Sequence, residues 1–294
     1  MSRVKLAFLA AALCAAGAAV GGESPFGYVY TTDTHPRGTR EIEQWLTRRH
    51  KQAQGDYDLW QGRTELEYGV TDRLQSALYL NYASVSALHN RPDGTTGPGA
   101  FVPDNVDPDA RYSRTSLQSL SNEWIYRVLS PYKDRIGLAL YVEPTWGPDE
   151  RELETKLILH KNFFDDRLVW AANFTAAAEK ERFHGEWERE GELEFTTGLA
   201  YQFAPRWHAG LEYRHHRGYE GSGFSAGKRV YAANFFGPSV HYASRRWWVS
   251  ATYLTQLANA KAYNDEARED IIGGRFYGEH HERYELRVKL GFSF

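Results

Sequence analysis

From Tyr284 to Phe294 the chain reads YELRVKLGFSF. Tyr284, Leu286, Val288, Leu290, Phe292 and Phe294 fall on one side of an extended chain. Glu285, Arg287, Lys289, Gly291 and Ser293 fall on the other. Strict alternation at period two predicts a strand between two contrasting environments. Six large apolar groups facing one way and three charges the other suit lipid outside and a wet lumen inside.

The same design recurs. In RTELEYGVTDRLQSALYLNY, Glu65 and Glu67 alternate with Thr64, Leu66 and Tyr68. A turn follows over Val70 to Arg73, and Leu74, Ser76, Leu78, Leu80 and Tyr82 then share a face. In GELEFTTGLAYQFAPRWHAGLEYRHH, Leu193, Phe195, Thr197, Leu199, Tyr201 and Phe203 alternate with Glu192, Glu194 and small residues. Ala204 and Pro205 turn the chain, and Trp207, Ala209, Leu211 and Tyr213 resume the apolar face. Such runs predict strands near 38–50, 59–70, 73–86, 115–129, 135–147, 150–162, 167–180, 189–203, 206–218, 229–243, 246–258 and 281–294. Each exceeds the roughly 9–11 residues that a tilted spanning strand needs.

The connections agree with a barrel of short periplasmic turns and longer outer loops. With Phe294 taken as periplasmic, the stretches 87–114, 219–228 and 259–280 fall outside and are long. The turns at Val70–Arg73, Ala204–Pro205 and Ser244–Arg245 fall inside and are short. Gly147–Arg151 is the weak case, an outer connection that is short. Aromatics also band. Phe203, Trp207, Tyr242, Trp247, Phe292 and Phe294 lie beside periplasmic turns, and Tyr82, Trp146, Tyr213 and Tyr284 towards the outer ends, as two interfacial girdles require.

Composition changes the picture in one respect. Hydrophobic residues are 42% of 294 and mean hydropathy is −0.60, values of a soluble protein. A membrane barrel hides in such numbers because only alternate residues meet lipid, and the aromatic share of 15% fits it. At the N-terminus, Arg3 and Lys5 precede the uncharged run Leu6 to Val20 and the small residues Ala16, Ala18 and Gly22. This is the layout of a secretory signal peptide over 1–22, too short for a spanning helix. Leu13 before Cys14 argues against lipidation. Loss of Arg3 and Lys5 takes the net charge from −3 to −5 and leaves a chain without cysteine. Thiol chemistry and cysteine-ligated metals are thereby excluded, and the charge gives no basis for nucleic-acid binding. No later run is long enough for a spanning helix, so only a closed barrel could satisfy the backbone in a membrane. The reading is an all-β, single antiparallel transmembrane up-and-down barrel of about twelve strands over 38–294, after a strap or partial plug at 23–37.

PFGYVYTTDTHPRGTREIEQW, ELEYGVTDRLQSALYL and the aromatic-ended last strand resemble an uncharacterised family of exported proteobacterial barrel proteins, a domain of unknown function. The resemblance spans essentially the whole mature chain. It implies an outer-membrane barrel of a Gram-negative bacterium after Sec-type export, and supplies no substrate or catalytic residue. A terminal Phe resembles the insertion signal of such proteins, which here would be Leu290, Phe292 and Phe294, read by the barrel assembly machinery. Outer-membrane lipid and lipopolysaccharide would be the surrounding partners.

The face opposite the lipid face carries the candidate chemistry. Its carboxylates are Glu41, Glu43, Glu65, Glu67, Glu123, Glu143, Glu154, Glu192, Glu194, Glu212 and Glu285. Its bases are Arg63, Arg127, Lys156, His160, His208, Arg214, Arg283, Arg287 and Lys289. Buried charges require partners, so a salt-bridged interior is expected. A polar pore whose charges select small hydrophilic solutes is the functional reading, and twelve strands imply a narrow lumen. A non-conducting structural or surface-receptor barrel is the alternative; loop 87–114 is its support. An outer-membrane hydrolase would need a nucleophile and a base, for which Ser239 and His241 are the nearest pair, without a G-x-S-x-G elbow. His215, His216, Glu279, His280, His281 and Glu282 gather at outer ends, but neighbouring strand residues point to opposite faces, so solvated histidines and no metal are expected. No cofactor is expected.

Overall fold

The computed structural model describes residues 24–103, 105–183, 186–278 and 280–294. The expected signal peptide at 1–22 lies outside them. Twelve long strands form one antiparallel sheet: β1 (Arg40–His50), β2 (Asp56–Thr71), β3 (Leu74–Leu88), β4 (Tyr112–Leu129), β5 (Gly137–Trp146), β6 (Glu150–Phe163), β7 (Leu168–Phe183), β8 (Glu186–Ala204), β9 (Trp207–Glu220), β10 (Arg229–Ala243), β11 (Trp247–Gln256) and β12 (Tyr284–Ser293). Each pairs with its neighbours in sequence, and β12 pairs with both β11 and β1. The sheet is therefore a closed barrel with no free edge.

The alternation places the side chains. On β3, Leu78 is 60% exposed and the adjacent Tyr79 2%. Leu66, Leu117, Leu140, Leu199, Leu211 and Leu290 stand on the outer surface in the same way. In water each such side chain would forfeit roughly 1.5–3 kcal/mol of burial; a continuous apolar belt costs nothing against lipid tails. Near the end that carries Phe294, the rings of Phe203, Trp207, Tyr242 and Trp247 form a row with centroids 6.5, 4.8 and 5.1 Å apart. At the other end Tyr284 packs on His50 and Tyr253, at 5.2 and 5.8 Å.

Some strand positions require small residues. Gly62 of β2 faces Tyr82 of β3, whose ring lies where a β-carbon would stand, 2.0 Å from it. Pro238 interrupts β10, and the ladder to β11 skips from Phe236–Thr255 to Ser239–Thr252. Beyond that skip, Lys261 and Ala262 pair with the outer part of β10.

The connections differ at the two ends. Turns at the Phe294 end are short except for 130–136 between β4 and β5. The two longest loops at the opposite end fold inwards. Ala100 and Val102 are buried against Tyr57, Leu59 and Val85, and Tyr57 Oη donates to the carbonyl of Ala100 at 2.9 Å. From the 257–283 loop, which carries the one-turn helix α1 (Asp265–Glu269), Phe276 packs with Phe235 and Leu254. The two loops meet where Phe101 stands edge-on to His280 at 5.5 Å.

Candidate functional site: the charged lumen

Because every strand alternates, its second face converges on the barrel axis. The carboxylates there have matched partners in several places. Arg214 joins Glu194 and also Glu285, at 3.1 Å for the latter. Arg49 approaches Glu285 at 3.9 Å, Arg63 reaches Glu143 at 3.4 Å, and Lys156 pairs with Glu154. Indole N–H groups serve two more: Trp248 Nε1 donates to Glu41 and Trp45 Nε1 to Glu43, both at 2.6 Å. Tyr79 donates to Glu123, and Tyr141 to Glu143. Cations also lie on aromatic faces. Arg287 stands 3.9 Å from the Tyr28 ring and Lys289 3.7 Å from Trp45, contacts that strengthen when desolvated.

Residues 24–36 run through the interior. Among the described residues this segment pairs with no strand, and its backbone groups bond to wall side chains. The Glu212 carboxylate accepts from the amides of Gly27 at 2.9 Å and Tyr28 at 2.8 Å, and from the Thr252 hydroxyl at 2.6 Å. The Asn173 amide clamps Tyr30, accepting from its N–H at 2.7 Å and donating to its C=O at 2.9 Å. Gln75 accepts from the His35 amide at 2.9 Å, and the His35 ring meets Glu67 at 2.6 Å. Phe26, fully buried, packs on Ala171, Ala200 and Val29, and Gly198 leaves it room. The segment thus rises from the Phe294 end beside β11, crosses near mid-height between β9 and β7, and descends along β6 and β2 to enter β1. A cavity of about 30 Å³, enough for one or two waters, remains beside Tyr30, Glu43, Trp45, Glu67, Glu123 and Lys289.

The third feature is a wall of one sign. Towards the loop end of β6, β7 and β8, Glu152 lies opposite Glu179 and Glu179 opposite Glu190. One step further out, Glu150 faces Glu181 and Glu181 faces Glu188. Their parity matches the buried Ile158, Asn173 and Thr196 of the same strands, so they point inwards. The cations of this region, Arg151, Lys180, Arg182 and Arg189, occupy the alternate, outward positions. Directly opposed like charges destabilise a ladder. Such a wall persists where it faces water and counter-ions.

Of the residues expected in the lumen, Glu41, Glu43, Glu65, Glu67, Glu123, Glu143, His160, Glu212, Arg214, Glu285 and Lys289 are buried. Arg63, Glu154, Lys156, Glu192, Glu194, His208 and Arg287 are half-buried on the same face. Two depart from the expectation. Arg127 stands at the rim, donating to the Asp72 carbonyl in the β2–β3 turn at 2.5 Å. Arg283 precedes β12 and lies 5.1 Å from the ring of the outward-facing Tyr284. In both, the local strand end releases the side chain from the inward register. Leu290, Phe292 and Phe294 are all exposed on the outer face. Alternation in the sequence does not single out the inward carboxylates Glu150, Glu152, Glu179, Glu181, Glu188 and Glu190. There the alternate positions are also charged, so no apolar face marks the opposite side as lumenal.

Two further expectations change. Outer-end histidines do not all face solvent: His216 and His281 stack at 4.8 Å with Nδ1 and Nε2 2.7 Å apart, and His216 Nε2 lies 2.9 Å from Glu192. The inward fold of the 257–283 loop brings them together. His241 Nδ1 bonds Ser250 Oγ at 2.8 Å across the β10–β11 ladder, whereas Ser239 Oγ is buried with no hydrogen-bond partner among the described residues.

Comparison with solved structures finds the same architecture. The chain is similar to the COG4313 outer membrane channel from Pseudomonas putida F1, with a TM-score of 0.58 at 13% identity, covering 90% of this chain and 98% of that one. Weaker likenesses are to the NanC porin, at 9% identity and TM-score 0.49 over 86% of this chain and 98% of that one. The KdgM porin, from a complex with disordered oligogalacturonate, gives 9% identity and 0.46 over 86% and 99%. No curated protein sequence matches. The closed twelve-stranded antiparallel barrel is therefore of the outer-membrane type. A family model described as a family of unknown function, DUF6662, matches residues 18–294, and the chain belongs to that family.

Proposed function

We propose that this barrel resides in the outer membrane of a Gram-negative cell after Sec-type export. There it conducts small hydrophilic solutes, cations in preference, through a narrow salt-bridged lumen. The observation that carries this reading is the one-signed wall on β6–β8. Nine glutamates at 150, 152, 154, 179, 181, 188, 190, 192 and 194 face inwards there. Among the described residues, the cations paired to them are Lys156, Arg214 and His216, at 154, 194 and 192. Such a surface raises the local concentration of cations. Across the lumen, Arg49, Arg287 and Lys289 stand among the carboxylates of β1, β2 and β12. Segment 24–36 is the internal constriction, and transport proceeds through its displacement or past its edge. That a channel shares this fold adds support. On this reading the chain is a conduit and not an enzyme, with outer-membrane lipid, lipopolysaccharide and the assembly machinery as its partners.

The test is the reversal potential of the refolded mature chain in a planar bilayer under a KCl gradient. Cation preference is expected, and replacing Glu152, Glu179 and Glu190 together with Gln should lower the cation-to-anion permeability ratio severalfold. Anion preference, or a ratio unmoved by the triple substitution, would overturn the reading.

A further inference from the structure

The inner wall of β1 and β2 holds a second acidic group that the conduction path does not require. The sequence EIE of β1 and ELE of β2 lie in register, so that Glu43 is opposite Glu65 and Glu41 opposite Glu67. One carboxylate oxygen each of Glu43, Glu65 and Glu67 can be chosen so that all lie within 4.8 Å of one another, and all three side chains are buried. Glu65 is 1% exposed, and neither of its oxygens accepts a hydrogen bond from any described residue. Among the described residues, the ion-pair partner of this set is the His35 imidazole, 2.6 Å from Glu67. Of the cations on this wall, Lys289 lies over the Trp45 ring and Arg63 reaches Glu143. An unpartnered buried carboxylate among others is costly unless it is neutralised or bound to a metal.

We propose that Glu43, Glu65 and Glu67 bind one hard divalent cation, of the calcium, magnesium or manganese class. The bound ion would fasten the 24–36 segment to the β1–β2 wall through His35 on Glu67. An all-oxygen donor set selects hard cations over zinc or copper. The spacing fits: ligands at about 2.3–2.6 Å on opposite sides of calcium are roughly 4.6–5.2 Å apart. The 30 Å³ cavity that Glu43 and Glu67 line abuts the set and can hold an added water ligand. A divalent ion offsets two of the three carboxylate charges, which Lys289 alone does not. The site stands whether or not the barrel conducts.

The experiment uses the refolded mature chain, stripped with EDTA. Mn²⁺ binding is followed by electron paramagnetic resonance and Ca²⁺ binding by calorimetry. One high-affinity ion per chain is expected, with Mn²⁺ selectively broadening the His35 ring resonances. Glu65→Gln, which keeps the side-chain shape, should weaken binding at least tenfold. Glu269→Gln, exposed on α1, should leave it unchanged, and Glu179→Gln with Glu190→Gln tests the cation-concentrating β6–β8 wall as the rival site. The wild-type broadening decides the matter even if the Glu65 variant fails to fold. No stoichiometric binding would mean that the carboxylates share protons instead. Binding lost only in the Glu179/Glu190 variant would place the ion at the mouth. Either result, or His35 signals untouched by Mn²⁺, overturns the proposal.

Discussion

Glu212→Gln isolates what holds the lumenal segment. The wild-type carboxylate accepts three hydrogen bonds, two of them from the consecutive amides of Gly27 and Tyr28. An isosteric amide keeps one acceptor oxygen and turns an –NH₂ donor towards one of those N–H groups. One charge-assisted bond, worth about 1.5–3 kcal/mol, is lost, and a buried donor is left unsatisfied at about 1–3 kcal/mol. Relaxation recovers part of this, so about 3 kcal/mol is the working figure. At 1.36 kcal/mol per decade it corresponds to a roughly hundredfold larger population of the unseated segment. Hydrogen exchange in detergent micelles or nanodiscs reads this directly: the Gly27 and Tyr28 amides should lose about two decades of protection while β9 and β11 keep theirs. Exchange at those amides within threefold of wild type would refute the reasoning, because the segment would then be held by packing of Phe26 and Tyr28 and not by the carboxylate.

Three further outcomes follow from other parts of the molecule. Leu78→Arg, on the outer face, should destabilise the barrel by about 2–4 kcal/mol in urea unfolding from lipid vesicles if Leu78 lies near the bilayer midplane, and a change below 0.5 kcal/mol would place that residue outside the apolar belt. Gly62→Val should displace the Tyr82 ring from its seat and cost about 1–3 kcal/mol in the same assay; an unchanged midpoint would show that the ring has another rotamer to occupy. Burial pushes the Glu282 carboxyl, in the loop before β12, up to about 7 against the pull of Arg49. A carboxyl raised from 4.5 binds its proton more tightly in the folded state, so its contribution of about 3 kcal/mol is complete below pH 4.5 and is lost as pH rises through 7. Protection factors of residues 280–283 should therefore fall between pH 5 and 8 in the wild type, and stay flat in Glu282→Gln.

The barrel was legible because lipid imposes a rule on every second residue. All twelve expected strands form, from Arg40–His50 to Tyr284–Ser293, since Leu78, Leu199 and Leu290 have no other place to go. What stayed hidden depends on contacts between distant residues. PFGYVYTTDTH carries no periodicity, and its path is set by acceptors at Glu212, Asn173 and Gln75, which lie 40 to 185 positions away. The inward fold of the outer loops rests on Ala100, Val102 and Phe276, apolar loop residues too few to form a periodic pattern. The pairing of His216 with His281 spans 65 positions for the same reason. Alternation did assign Glu43, Glu65 and Glu67 to the lumen, but only the β1–β2 register shows that they meet.

Single-channel recording of the refolded mature chain, beside a variant lacking residues 24–36, reads conduction through the charged lumen and past its internal segment. Small, discrete, cation-preferring steps are expected from the intact chain and several-fold larger steps from the shortened one. A folded barrel of either length that never conducts would contradict the proposed conduction.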